Sequence, residues 1–534
     1  MTALAAPGGL TFDPTSPDLT RSDWLKIYLG FAGMALGQFM AMLDMQIVAS
    51  SLSQIQAGVG ANADEIAWVQ TIYILAEVLI IPLTAYLSKL WGTRPFFLAA
   101  CAFFMIASML TGLSATIEMM IFTRALQGLA AGAMMPMVFA TSMSVFPPEK
   151  RVAAMVYTSL IITLAPTIGP TLGGHLTEAL SWRWLFFINV PAGAVCLFLV
   201  GRYGGFDRGD PALAKGIDWW GAGLMSVCLL SIQYVVEEGN KKGWFADDVI
   251  LWLTVAGVIT GVAFIWRQLT YRQPIVSLKP FGDLNFVVGM VMGVISGMSL
   301  FGAVFILPLY LGQVLRYSAA ETGTTMLVGG LTMMLAAPLA ARLARYIEPR
   351  VAMVSGFTIS AWALALGVRI TDRWGFWEFA FMQVVRSLGT MIAMTGTQQI
   401  SIATLPVSMM KDASSLITLV RNIGGAFGLA ILSSIITHQT AAHYNDLAAR
   451  MGASNPVSVD FMEGMAAMMA QSESFDPGGA GRKAFSFMLH REALVLAFAD
   501  AFAFLAVGCL FAAAVVFFAR PAKTPPPAQL SGGH

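Results

Sequence analysis

Apolar residues run along this chain in stretches of about twenty, the length at which an α-helix crosses a bilayer, with short polar or basic punctuation between them. Fourteen such stretches are predicted. Six lie at about 24–50, 65–88, 95–114, 117–146, 151–178 and 183–203, two at about 218–237 and 248–269, and six more at about 284–313, 321–345, 351–369, 375–404, 411–438 and 493–519. The pattern predicts an all-α integral membrane protein of two six-helix bundles joined by two inserted helices. The divisions are a tail over 1–23, a bundle over 24–203, a linker with two extra transmembrane helices over 204–281, a second bundle over 282–519 and a tail over 520–534. Residues 439–492 read as an external loop of about fifty residues, far above the usual 2–8 for helix–helix connections. Within it Phe461, Met465, Met468 and Met469 fall at helical spacing, bracketed by Glu463 and Gln471. That face fits either an amphipathic helix on the outer leaflet or a docking surface for a second protein.

The same bundle appears twice. Pro82-Leu-Thr-Ala-Tyr-Leu-Ser-Lys89, with Arg94 five residues later, matches Pro338-Leu-Ala-Ala-Arg-Leu-Ala-Arg345 with Arg350 five later, at an offset of 256 residues. Arg124 and Arg386 fall in register at a similar offset, as do Pro147 and Pro406. Paired six-helix bundles are what alternating-access transporters use, with the substrate near the midplane between them.

Composition agrees with a membrane setting. The chain is 57% hydrophobic and 11% charged, with mean hydropathy +0.71, against roughly 25% charged residues in a soluble domain. A net charge of +1 and the lack of a basic tract argue against a nucleic-acid partner. Cys101, Cys196, Cys228 and Cys509 lie in apolar runs at no metal-ligand spacing, so they read as packing residues. The first twenty residues are polar with Pro14 and Pro17, so the first apolar run is expected to act as an uncleaved signal anchor. With both termini in the cytoplasm, eighteen Lys and Arg fall on the cytoplasmic side. Short external loops then hold only Arg183, Lys241, Lys242, Arg316, Arg369 and Arg373, which predicts N-in, C-in.

Ionisable residues deep in apolar runs are costly and mark functional cavities. Asp44, Glu77, Arg124, Arg386 and Arg421 are of this kind. Asp44 lies about six residues from the outer end of the first helix and Arg124 about seven from that of the fourth, roughly 9–10 Å in at 1.5 Å per residue. Equal depth suits a proton switch in which the carboxylate and the guanidinium engage and part. The alternative is a static ion pair. Glu77 sits near the midplane of the second helix, as a second proton carrier or a neutral packing residue. Gln38, Gln127, Arg386, Gln398 and Arg421 are the remaining candidates for cavity and substrate contacts. No Gly-Lys-Ser/Thr phosphate loop and no G-x-S-x-G elbow occurs, so neither ATP-driven transport nor hydrolase chemistry is supported.

Residues 165–193, A-P-T-I-G-P-T-L-G-G-H-L-T-E-A-L-S-W-R-W-L-F-F-I-N-V-P-A-G, place Gly169, Pro170, Gly173 and Gly174 inside an apolar span. Such residues are tolerated in lipid, where they bend helices and let them approach closely. The pattern resembles the fifth-helix element of proton-driven exporters of the major facilitator superfamily, with Ala165 where a Gly often stands. Ser181-Trp182-Arg183-Trp184 and Phe187-Ile188-Asn189-Val190-Pro191 resemble the start of helix six in the fourteen-helix drug:proton antiporters of the EmrB/QacA type. Arg124-Ala-Leu-Gln127-Gly128 matches that superfamily's Arg-x-x-Gln-Gly element. The gating loop after helix two, with Lys89, Gly92 and Arg94, departs from the pattern: Lys89 stands where an Asp belongs and Ala85 where a Gly does. The resemblance implies proton-coupled efflux of drug-like amphiphiles through the bacterial inner membrane, with the proton gradient as energy source and no cofactor. It also implies a periplasmic membrane-fusion adaptor of EmrA-like kind and an outer-membrane channel as partners. A dedicated exporter of one anionic metabolite, fatty acid or siderophore is the alternative, and a non-transporting receptor on the same fold is a further one.

Overall fold

The computed structural model describes residues 20–207, 209–317, 319–451, 459–464, 467 and 477–519. Fourteen long helices occupy them: α1 Arg21–Ser50, α2 Ala63–Trp91, α3 Thr93–Gly112, α4 Ile117–Ser144, α5 Pro148–Ala179, α6 Asn189–Tyr203, α7 Trp219–Glu238, α8 Asp248–Thr270, α9 Leu284–Gln313, α10 Ala319–Tyr346, α11 Pro349–Gly367, α12 Phe376–Ile402, α13 Met410–Arg450 and α14 Pro477–Val515. Helices are the form to expect, because a segment in lipid must satisfy its own backbone. Their starts are written locally. Thr20 and Asp23 form a capping box at α1. Asp218, Asp247 and Asp283 each accept a backbone N–H at the start of α7, α8 and α9. Gly92, the one residue between α2 and α3, has φ +88°, a conformation that disfavours a side chain.

The first six and last six helices pack in the same way. The pairs α1–α5, α2–α4, α3–α4, α1–α6 and α3–α6 recur as α9–α13, α10–α12, α11–α12, α9–α14 and α11–α14. The two halves meet along two seams, α2 and α4 with α13, and α10 and α12 with α5. Under the repeat these are one contact made twice. Each half has an apolar core, the first extending to Leu300, Met333 and Met394 of the second half, and a third cluster along the α2–α13 seam joins Val78, Tyr86 and Leu90 to Phe286, Leu416 and Ile417.

Twelve of the helices are long and apolar enough to cross a membrane by length and composition. α12 falls short of that composition. The interior face of α12 carries Gln383, Arg386, Ser387, Thr390, Thr397 and Gln398, all buried, so polarity spent inside the protein lowers its apolar score. The opposite case is α8, with 11% of its span buried against 89% for α4. Its exposed Trp252, Val258, Val262 and Trp266 form a lipid-type surface. The helix packs on α7, which in turn lies against both α2 and α13. Thr71 of α2 donates to Glu237 Oε1 at 2.8 Å, and Asn240 just past α7 donates to Ser433 of α13 at 3.1 Å. The inserted pair therefore flanks the α2–α13 seam and ties to both halves.

The expected loop over 439–492 is shorter than its sequence suggested. Residues 439–450 continue α13 and 477–492 open α14, as a helical hairpin beyond the apolar span. Tyr444 and Ser486 hydroxyls meet at 2.9 Å, His443 Nε2 meets Asp500 at 2.8 Å, and the Phe461 and Phe485 rings lie 6.0 Å apart. Polar residues there are used between two helices, which is why the stretch looked loop-like. Met465, Met468, Met469 and Gln471 of the expected amphipathic face, Arg208, and the tails 1–19 and 520–534 lie outside the described residues.

Candidate functional site: a buried charge network beside a seam between the two halves

Asp44 on α1 and Arg124 on α4 meet, as their equal depths required. Both are fully buried, and Arg124 Nη1 donates to Asp44 Oδ2 at 2.5 Å. Gln127, one turn on from Arg124, donates to Asp44 Oδ1 at 2.9 Å and accepts from Arg124 Nη1 at 2.9 Å. Two partners were not foreseen. Asn189 of α6 donates to Asp44 Oδ1 at 2.7 Å and to the Ser108 hydroxyl at 3.0 Å. Tyr73 of α2 lies under the guanidinium, 4.2 Å from ring centroid to Cζ, with its hydroxyl donating to Ala41 O. Arg124 Nε donates to Val69 O at 3.1 Å. A buried ion pair repays its desolvation only when the remaining lone pairs and N–H groups are met. Here three side-chain donors converge on one carboxylate. A proton arriving on Asp44 weakens these charge-assisted bonds, which come from α4 and α6, so protonation and the packing of α1, α4 and α6 are linked.

Glu77 is also buried, but its hydrogen bond comes from the other half of the molecule. Asn422 Nδ2 of α13 donates to Glu77 Oε1 at 2.8 Å. Arg421 and Arg124 both lie within electrostatic reach of Glu77, which reads from sequence as a carboxyl with no cation near it. The cation comes from a helix more than three hundred residues away. Arg421 is buried with Nε unpartnered, and Asn422 Oδ1 is likewise buried without a partner. In the second half Arg386, the repeat mate of Arg124, has no carboxylate beside it among the described residues. Its Nε and Nη2 share Gln383 Oε1 at 3.1 and 2.7 Å, leaving Nη1 unpartnered. Gln38 and Gln398 are buried with polar atoms unpartnered, Oε1 on Gln38 and both amide atoms on Gln398.

The loop after α2 explains its own departure from pattern. Lys89 Nζ meets both carboxylate oxygens of Asp412, at 2.6 Å, in the first turn of α13. Lys411 reaches Asp207, just beyond α6, and Ser88 O. Asp207 in turn accepts from Thr93 N at 2.7 Å and Thr93 Oγ1 at 3.0 Å at the start of α3. The charges are exchanged: the base stands on the loop, and the acid is supplied by the helix across the seam. Arg94 donates to Gly201 O and so ties α3 to α6. A cleft of about 390 Å³ lies here, lined by Lys89, Asp210, Met410 and Lys411 among others.

α5 runs unbroken through Gly169, Gly173 and Gly174. A side chain on Gly169 would meet Gln46 Cβ of α1 at 2.4 Å, whereas Gly174 has nothing within 4 Å. Gly173 is buried, and the side chain of Pro170 lies outside those described. The contact between the halves along α5 falls instead at Thr171, where a side chain on Gly323 of α10 would stand 2.3 Å from its hydroxyl. Among the described contacts of this element, Gly169 makes a close approach to α1.

Two pseudo-symmetric bundles, with Glu77, Arg421 and Asn422 buried where they meet, have the architecture of a membrane transporter. Residues 34–429 match the family described as Major Facilitator Superfamily. The chain is 32% identical to the Colistin resistance protein EmrB of Acinetobacter baumannii over 89% of its length and 93% of that protein. It is 29% identical to the Multidrug export protein EmrB of Escherichia coli over 79% and 83%, and 28% identical to the Fatty acid resistance protein FarB of Neisseria gonorrhoeae over 80% and 83%. Among solved structures the human organic anion transporter MFSD10 (TETRAN) shares the fold, with TM-score 0.57 at 12% identity, over 92% of this chain and 99% of that one. A bacterial homologue of the lysosomal transporter Spinster does so with TM-score 0.53 at 14% identity, over 92% and 98%. The chain belongs to the major facilitator superfamily and is an EmrB-like transporter, not an enzyme.

Proposed function

We propose that this transporter exports drug-like amphiphiles in exchange for protons, across a bacterial inner membrane with both termini cytoplasmic. The observation that carries the reading is the pair of fully enclosed carboxyls, Asp44 and Glu77, each held by donors from other helices. Burial of that kind is costly unless the groups work. The names of the relatives, colistin resistance and multidrug export, support a broad amphiphilic cargo. The proton gradient is the energy source, with no cofactor. In proteoliposomes with an imposed pH gradient, the protein is expected to accumulate cationic, neutral or anionic amphiphiles against their gradients. Transport that ignores the gradient, or runs only downhill, would overturn the proton-coupled reading.

One observation favours a second reading, in which the cargo is an anionic metabolite, fatty acid or siderophore. Arg386 and Arg421 are buried with guanidinium nitrogens unpartnered, and a carboxylate on the cargo would meet them. The fatty acid resistance named for one relative points the same way. The anionic arm of the same assay, repeated with Arg386→Gln, separates the two.

The helical hairpin above α13 and α14 exposes Phe487 and Met488. It suits a periplasmic adaptor of the EmrA-like kind, with an outer-membrane channel beyond it. Deleting residues 455–480 is expected to abolish resistance in cells and to spare transport in proteoliposomes. Cellular resistance that survives the deletion removes the adaptor from the proposal.

A further inference from the structure

The α2–α13 seam is closed by a ladder of four contacts. From its Lys89 end these are Lys89 with Asp412 at 2.6 Å, Lys411 with Ser88 O at 3.2 Å, Ser415 Oγ donating to Ile81 O at 2.6 Å, and Asn422 donating to Glu77 at 2.8 Å. The first two are part-buried pairs at the Lys89 end, and the third is a neutral side chain on a backbone carbonyl. The last is a titratable group 4% exposed, at the middle of α2, gripped from the opposite half. We propose that Asn422 and Arg421 of α13 read the charge of Glu77, so that ionised Glu77 holds the seam shut and a proton on Glu77 loosens it.

The chemistry is one of donors facing an anion. Asn422 Nδ2 donates to Oε1, and Arg421 lies within electrostatic reach with its Nε unpartnered. A hydrogen bond to an ionised acceptor is roughly twice as strong as a neutral one. Protonation therefore weakens the Asn422 bond and removes the attraction of Arg421 together. The other charged groups around Glu77 are Arg124 on α4 and, across the Tyr73 ring, Asp44 on α1. On α7 the acid Glu237 lies further along, at Thr71. The proton enters from the water on the side away from Lys89, adds to a Glu77 carboxyl oxygen, and returns to water at the Lys89 end once the seam has parted. This sign suits antiport, since the arriving proton opens the side where cargo is collected. The inference rests on the proton-coupled reading above.

The test is a distance measurement on the full-length protein in lipid nanodiscs. Spin labels are placed at Trp91 and Thr404, both exposed and on opposite halves, with Cys228 replaced by Ser. Wild type is expected to shift to longer distances as pH falls. Glu77→Gln should show the long distance at every pH, as should Asn422→Leu. Asn422→Asp places two carboxyls face to face, and its pH dependence should invert: open when both ionise, closed when they share one proton. A purely structural Asn422 gives no inversion. If Asn422→Asp and Glu77→Gln follow the wild-type curve while wild type still accumulates cargo on a pH gradient, the latch is wrong and proton-coupled export stands. If the distances behave as expected but wild type builds no pH-driven gradient, the latch stands and proton-coupled export falls.

Discussion

Asp44→Ala is expected to cost the folded protein about 3–5 kcal/mol, because it leaves the Arg124 guanidinium buried and uncompensated. Both partners are 0% exposed, so bulk water does not reach the guanidinium. The two amide donors that now converge on Asp44 Oδ1, from Gln127 and Asn189, lose their acceptor as well. Asp44→Leu combined with Arg124→Leu should recover most of that stability, since replacing a whole buried pair by apolar groups is often neutral or stabilising by about 1–4 kcal/mol. Asp44→Asn keeps the side-chain volume and removes the titratable charge. It should fold, and it should lose pH-driven export. Thermal melting of detergent-purified variants checks the first two, and flux in proteoliposomes checks the third. Equal melting for Asp44→Ala and the double variant would show that the pair carries no coupling energy. Full pH-driven accumulation by Asp44→Asn would remove Asp44 from the proton path.

That experiment also separates what sequence could and could not show. The pairing of Asp44 with Arg124 was legible, because depth along a helix is a matter of counting residues from its end. The fourteen helices and the repeat were legible for the same reason: bilayer length and register are one-dimensional. Asn189 was visible as a polar residue at the start of an apolar span, but nothing in the order of residues aims it at Asp44. Asn422 and Asp412 were harder still. Their partners, Glu77 and Lys89, lie in the other half, and such pairings depend on how the bundles are set against each other. Residues 439–492 failed differently. Their polarity was read as solvation, whereas it serves a helical hairpin in which Tyr444, Ser486, His443 and Asp500 face one another.

The glycines carry the same lesson to its largest test outside the charge network. The Gly-Pro element of α5 drew attention because its residues are unusual in a helix, yet Gly174 has open space around it. The crossing that sets the site is elsewhere, between α2 and α4. A side chain on Gly128 would stand 2.3 Å from Tyr73 O, and one on Gly132 would stand 2.4 Å from Glu77 O and 2.6 Å from Ile80 Cγ2. The two carbonyl contacts are with backbone, which has no flexible chain end to give way, so α2 must move off α4 to admit even a methyl group. Small residues let membrane helices approach this closely. Moving α2 pulls Val69 O from Arg124 Nε, Tyr73 from beneath the guanidinium, and Glu77 from Asn422. Gly128→Ala and Gly132→Ala are therefore each expected to destabilise by about 1–3 kcal/mol, the usual cost of overpacking, and to lose most transport. Gly174→Ala should match wild type in both. Flux in proteoliposomes, measured beside the melting temperature, decides the matter. Wild-type flux in Gly132→Ala would mean that the α2–α4 crossing does not hold the charged groups in place, and a severe loss in Gly174→Ala would return the burden to α5.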